Sequence, residues 1–241
     1  MQLDNILNKR ILGQTRKAVQ DFNMINKGDR IAVGISGGKD SMSMVYALSL
    51  LKKFYPESFS LHGITIMSGV NDFDPDMIVN FMDMLDIPYT VEETYIGQLV
   101  FNIRKEKNPC SLCANMRRGA LNNKAIELGC NKIALAHNRD DVIETYMLSM
   151  MYEGRFHTFS PVTYLDRKEI TVIRPFIYCK EHDILGYTRQ NNIPVVKSPC
   201  PYNGMSKRQE VKDMLKEMIK SNPDIKSNIF GSIQRSGNWG W

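Results

Sequence analysis

Six consecutive residues, Ser36-Gly37-Gly38-Lys39-Asp40-Ser41, close the apolar run IAVGI from Ile31 and open a stretch of helical periodicity. Adjacent glycines let backbone N–H groups turn inward around an anion, and the N-terminus of the following helix adds partial positive charge. The chemistry this suits is the cradling of a pyrophosphate. A Walker A loop is excluded, because Gly34 stands four residues before Gly38, one too few, and Asp40 replaces the required hydroxyl residue. No G-x-G-x-x-G fingerprint is present. A glycine turn joining strand to helix accounts for Gly37 and Gly38 but not for Lys39 and Asp40 beside them.

The second constellation is Cys110-Ser111-Leu112-Cys113, followed by Arg117, Arg118 and Gly119, with Cys200 far downstream in Ser-Pro-Cys-Pro. A lone C-x-x-C fits half a zinc site, a redox pair or a helix-start coincidence. With no second C-x-x-C, a closed four-ligand zinc site lacks material. Thiolates from Cys110, Cys113 and Cys200 suit a cubane iron–sulfur cluster with one iron left open. Five cysteines are an odd number and argue against a disulfide framework; Cys130 and Cys179 lie outside the motifs and read as small buried hydrophobes. The 15 methionines read mostly as core filler.

The third is Ala136-His137-Asn138-Arg139-Asp140-Asp141. Both carboxylates fall in a first helical turn, where the helix dipole alone would favour them. The same place is a strand end where a ligand would lie. A carboxylate pair there can carry Mg²⁺ or orient a nucleophile, and His137 can contact a phosphate or a base.

These motifs need a scaffold of alternating elements. A helix is expected over 3–22, then strands from Ile31, Leu61, Tyr89 and Asn131, with helices after Asp40, over 75–85, over 112–128 and from Asp140. A strand at TVIRPF, a helix over 180–190 and a lysine-rich helix over 206–220 complete the pattern. Such alternation implies α/β architecture, a doubly wound, mostly parallel sheet with ligands at the carboxyl ends of its strands. The expected division is a helical extension over 1–28, a main domain over 29–200 and a helical tail over 201–241.

The chain of 241 residues, 43% hydrophobic and 24% charged, excludes fibrous and disordered classes. No run approaches the ~18 apolar residues of a membrane span, and MQLDNILNKR lacks the features of a signal peptide, so a cytoplasmic protein with no membrane partner is expected. Net charge is +5. Over 101–124, six cations (Arg104, Lys105, Lys107, Arg117, Arg118, Lys124) face Glu106 alone, a patch equally consistent with a solvated face and with a phosphate or nucleic-acid site.

SGGKDS resembles the signature of PP-loop ATP pyrophosphatases, an adenine nucleotide alpha-hydrolase-like fold. That resemblance implies that ATP is cleaved between its α and β phosphates. Lys39 would neutralise phosphate charge, Asp40 would help hold Mg²⁺, and Ser36 and Ser41 would bond the released pyrophosphate. With C-S-L-C-x3-R-R-G, KIALAHNRDD and VIRPFIYCKEHDI, the stretch over about 30–215 is similar to the tRNA 2-thiocytidine biosynthesis (TtcA) family. The resemblance implies ATP-dependent adenylation of a cytosine carbonyl in tRNA, at position 32, and replacement of its oxygen by sulfur at a [4Fe-4S] cluster. It places Cys110, Cys113 and Cys200 as cluster ligands, Asp140 and Asp141 near the nucleotide, and Arg117 as a basic catalytic residue. It also implies an external sulfur donor, sulfide or a cysteine desulfurase, and a homodimer. The segment over 104–124 and Lys207, Arg208, Lys212, Lys216 and Lys220 would contact tRNA phosphates. Two other functions share parts of this pattern: a lysidine-type PP-loop tRNA ligase, which needs no metal, and a nucleotide-binding iron–sulfur or zinc redox sensor.

Overall fold

Near-continuous apolar runs along the central strands, such as Ile31-Ala32-Val33, dictate a sheet covered on both faces. In the computed structural model, which describes residues 6–69, 74–104, 109–196, 207–238 and 240–241, β1 (Asp29–Gly34) sends Ile31 and Val33 into one apolar cluster and Ala32 into another. The first cluster is built with α1 (Ile6–Asp21), α2 (Lys39–Leu51), α3 (Asp76–Met84), α5 (Arg139–Glu153) and α6 (Glu181–Gln190). The second joins β2 (Phe59–Met67), through Ile64 and Ile66, to Leu121 and Ala125 of α4 (Pro109–Glu127).

The sheet has six strands in the order β3-β2-β1-β4-β6-β5, with β3 at Tyr89–Glu93, β4 at Lys132–Ala134, β5 at Val162–Leu165 and β6 at Ile170–Ile173. All neighbours pair in parallel except β5, which pairs antiparallel with β6. The expected doubly wound sheet is present. The β5 edge was not foreseen; its four residues are half-buried or exposed and carry little periodicity. A π-helical segment, Gln98–Arg104, is a further element beyond the expected set.

Chain order reverses at β1, whose neighbours are β2 on one side and β4 on the other. The loops after β1 and β4 therefore diverge and leave a crevice at the carboxyl edge. At the C-terminal end, α7 (Lys207–Ser221) and α8 (Ile225–Arg235) dock on α5 and on each other. Trp241 packs edge-on against Phe22 of the α1 end and Phe230 of α8, with ring centroids 5.9 and 5.3 Å away.

Cys130 and Cys179 are buried, as expected, and burial pushes the Cys179 thiol up to about 12. The methionines divide more evenly than expected. Met24, Met42, Met44, Met67, Met82 and Met147 are buried, whereas Met77, Met84, Met150 and Met151 are exposed.

Candidate functional site

The glycine loop forms where β1 ends. Gly37 takes φ +76°, a left-handed conformation that costs a side-chain-bearing residue about 1 kcal/mol or more, and Gly38 is the extended N-cap of α2. No side chain caps α2, so its first N–H groups stay available to an anion. The serines brace the turn: Ser36 and Ser41 Oγ atoms stand 3.1 Å apart, and Ser41 Oγ donates to the Gly38 carbonyl at 3.0 Å. Gly37 O accepts from the Val196 N–H at 2.9 Å, which ties a second chain segment to the loop.

Lys39 Nζ donates to Asp40 at 2.7 Å and to Glu181, the first residue of α6, at 3.0 Å. Burial alone would depress the Lys39 ammonium, but the two carboxylates outweigh it and raise its pKa. Lys39 is thus fully charged and already positioned.

The β4–α5 turn supplies the opposing wall. Asn138 caps α5, its Oδ1 accepting from the N–H groups of Asp140 and Asp141, while Asp141 Oδ2 accepts from the Asn138 N–H at 3.0 Å. Both carboxylates fall in the first turn as expected, and in this reciprocal capping box it is Asp141 that returns the cap. Asp140 instead accepts the Glu181 N–H at 2.7 Å and Lys226 Nζ at 2.7 Å. Burial opposes its charge, but these donors lower its pKa. Asn138 Nδ2 also reaches Asp40 Oδ1 at 3.2 Å and bridges the two loops.

Two acids that the sequence reading did not single out complete the cluster. Glu144, one turn beyond Asp140 and Asp141, is 2% exposed and bonds Arg208 at 3.4 Å, with Lys212 at 3.5 Å; burial pushes its carboxyl up to about 7. Glu181 meets Lys39 and Lys212. The i, i+3/i+4 spacing of Glu144 behind the aspartates was the available signal; Glu181 lies within the VIRPFIYCKEHDI stretch, where nothing marks it as the partner of Lys39.

Asp141 is raised, chiefly by burial, with the nearby Asp40 charge adding to it against Asn138 and Arg208. The Asp40 charge that raises the cost of the Asp141 carboxylate favours a cation beside it. Among the described residues no group of three acids, histidines or cysteines could cage a metal by itself. Mg²⁺ bound through one or two carboxylates, waters and substrate phosphates needs no such cage, so Asp40 and Asp141 fit that role.

Beside this cluster lies a cavity of ≈ 250 Å³ lined by Gly34 at the end of β1 and Ile35 and Ser36 just after it, Ile64 and Ile66 from β2, Arg117 and Arg118 from α4, and His137. Apolar walls, an adjoining glycine loop and two guanidinium groups suit a nucleotide. The His137 ring lies on Phe159, centroids 4.7 Å apart, and its buried Nδ1 has no partner among the described residues. Burial, helped by Arg174, Arg208 and Arg118, holds it neutral with a pKa of about 3.

Helix α4 begins at Pro109, three residues before the expected start at Leu112. Proline is favoured in the first helical turn because its missing N–H would be unpaired there anyway. Cys110 therefore sits in that turn and Cys113, three residues on, shares its face, Cys110 exposed and Cys113 half-buried, neither in a disulfide. The next turn brings Ala114 and Arg117 to the cavity wall. Two adjacent thiols there fit an iron–sulfur cluster in donor type. Cys200 lies outside the described residues, as do Lys105, Glu106 and Lys107.

Helix α7 departs from its expected role. Arg208 and Lys212 turn inward to Asp141, Glu144 and Glu181. Lys207, Lys216 and Lys220 are each paired with an acid three residues away. The outer face of this helix is charge-balanced, not basic.

A parallel sheet with an anion-cradling glycine loop at its reversal point defines a PP-loop nucleotide-binding protein. The family model of the PP-loop domain matches residues 7–217. The chain is 37% identical over 237 residues to the tRNA-cytidine(32) 2-sulfurtransferase of Geobacter sulfurreducens, covering 96% of this chain and 91% of that one. It is 39% identical over 234 residues to the protein of that name from Vibrio vulnificus, covering 95% and 75%. Among solved structures it matches the U34-tRNA thiolase NcsA from Methanococcus maripaludis with its [4Fe-4S] cluster, at TM-score 0.80 and 30% identity, over 95% of this chain and 79% of that one. An NH3-dependent NAD synthetase from Campylobacter jejuni, at TM-score 0.51 and 13% identity, shares the fold alone. The chain belongs to the PP-loop family and, within it, to the TtcA family of tRNA-cytidine(32) 2-sulfurtransferases. No helix among the described residues is long and apolar enough to cross a membrane.

Proposed function

We propose that this chain is an ATP-dependent tRNA sulfurtransferase that converts a cytosine of tRNA, at position 32 as in its named relatives, to 2-thiocytidine. The observation that carries this reading is the placement of α4, whose first five residues include Cys110 and Cys113 while Ala114 and Arg117 just beyond them line the cavity walled by Ser36. Residues 29–200 form the catalytic domain in this reading, with 1–28 and 201–241 as helical additions, and the protein works in the cytoplasm as a homodimer.

The cytosine carbonyl oxygen attacks the α phosphorus of ATP, and pyrophosphate leaves into the loop of Ser36, Gly37, Gly38 and Ser41. Lys39 moves from Asp40 and Glu181 onto the phosphates and neutralises the charge that builds there. Asp40 and Asp141 would hold Mg²⁺, which would supply further neutralisation of phosphate charge, with Asp140 fixing the frame through Lys226 and the α6 N-terminus. His137, neutral, offers a ring nitrogen to the nucleotide. Sulfide from an external donor, free or released by a cysteine desulfurase, adds to the activated carbon, and AMP departs with the former carbonyl oxygen. A [4Fe-4S] cluster held by Cys110, Cys113 and Cys200 would supply a place to bind and present that sulfur. Arg117, one turn beyond Cys113, stabilises the negative charge of the adduct and of the departing AMP.

The test is anaerobic incubation of cluster-loaded protein with ATP, sulfide and unmodified tRNA, followed by nucleoside mass spectrometry. Appearance of 2-thiocytidine with matching AMP supports the reading, and ATP cleavage that adds a different group to tRNA refutes it.

A further inference from the structure

We infer that the cleft between α1, α6 and α8 is a binding site for the phosphodiester backbone of tRNA, distinct from the nucleotide cavity; the inference rests on the tRNA reading above. The cleft measures ≈ 490 Å³, and four cations line it: Arg10 and Lys17 from α1, Arg139 from the start of α5, and Lys180 at the head of α6. Its one lining acid, Asp183, is already held by Arg10 at 2.7 Å and by His182 at 3.1 Å. Lys17 is paired with Asp21. Arg139 and Lys180 have no described carboxylate within ion-pairing distance.

Arg139 is held in a fixed pose. Its guanidinium lies 4.8 Å from the Phe230 ring, Nη2 donates to Ser227 at 3.1 Å, and its buried Nε has no partner among the described residues. Arg139 is half-buried and feels the neighbouring Asp140 charge without forming an ion pair with it, and an immobilised guanidinium with spare donors is the group that grips a phosphate best. Tyr178 and Phe230, packed edge to face at 6.2 Å, form an aromatic wall beside it. The balanced outer face of α7 offers no comparable field.

The cleft also stands beside the chemistry. Lys180 precedes Glu181, which holds Lys39, and Arg139 precedes Asp140, which accepts the Glu181 N–H. A strand gripped here is anchored next to the groups that act on ATP.

The test is the salt dependence of tRNA binding by the full chain, measured by anisotropy with an unmodified tRNA transcript over a KCl series. Variants are Lys180→Gln, Arg139→Gln and Arg139→Lys, with Lys52→Gln, at the far end of α2, as control. Binding of a non-hydrolysable ATP analogue reports that each variant is folded. Each lost phosphate contact should make the slope of log affinity against log salt shallower by about 0.7–0.9. The inference expects that change for Lys180→Gln and Arg139→Gln, none for Lys52→Gln, and retention of the slope in Arg139→Lys. Unchanged slopes in both glutamine variants overturn the site while leaving tRNA as substrate. Absence of any tRNA binding by the parent chain overturns both readings. Should Arg139→Gln loosen α8, the exposed Lys180→Gln decides alone.

Discussion

Lys39 rests on Asp40 and Glu181 at 2.7 and 3.0 Å, an arrangement that holds an ammonium at the loop until phosphate oxygens replace the carboxylates. Lys39→Ala and Asp141→Asn should each cut tRNA-dependent AMP formation on the order of 10²–10³-fold, the cost of losing one stabilising group at developing charge, with an unchanged circular dichroism spectrum. Retained turnover in either variant would remove that residue from the mechanism. His137 gives a pH prediction. Its pKa falls from 6.5 to about 3 on folding, so between those values the unfolded chain binds a proton that the folded chain refuses, and stability falls as pH drops through that window. At about pH 5 the loss is roughly 2 kcal/mol. Glu144, raised to about 7, works the opposite way, so the test compares the urea midpoints of parent and His137→Asn at about pH 7 and 5. The variant should lose less on acidification; equal losses would contradict a buried neutral imidazole. The chemistry-bearing residues next to one another in the chain, Ser36 to Ser41 and His137 to Asp141, could be singled out because each segment combines several polar types at a strand end. Glu181 was not, because what makes it part of the site is a contact 142 residues away.

At the scale of elements, the capping box at Asn138 joins function to folding, since the same side chain caps α5 and reaches Asp40. Asn138→Ala should cost about 1–2 kcal/mol, seen as a fall of roughly 2–4 °C in Tm per kcal/mol for a chain of this size, and should also weaken ATP use. A variant as stable as its parent would mean that the cap contributes nothing. Strands rich in β-branched residues and helices with clear periodicity were readable from sequence. The start of α4 was not, because Pro109 reads equally as a breaker and as a first-turn residue, and only the structure shows the latter. The short β5 edge and the π-helical segment have no sequence pattern of their own. Basic composition also misled over α7: a run of lysines looks cationic until the acids at three-residue spacing are counted against it.

At the scale of the molecule, the reversal of strand order at β1 brings together a phosphate loop from residue 36, an acid turn from residue 138 and a thiol-bearing helix from residue 109. The central claim is that ATP activation and thiol chemistry serve one substrate atom. The most direct measurement assays 2-thiocytidine and AMP together, anaerobically, in the parent and in Cys110→Ala, Cys113→Ala, Cys200→Ala and the buried-site control Cys130→Ala. The account predicts that the first three abolish 2-thiocytidine while binding of an ATP analogue persists, and that Cys130→Ala retains product. Turnover of tRNA undiminished by loss of Cys110 and Cys113 would contradict it and would favour a metal-free PP-loop ligase.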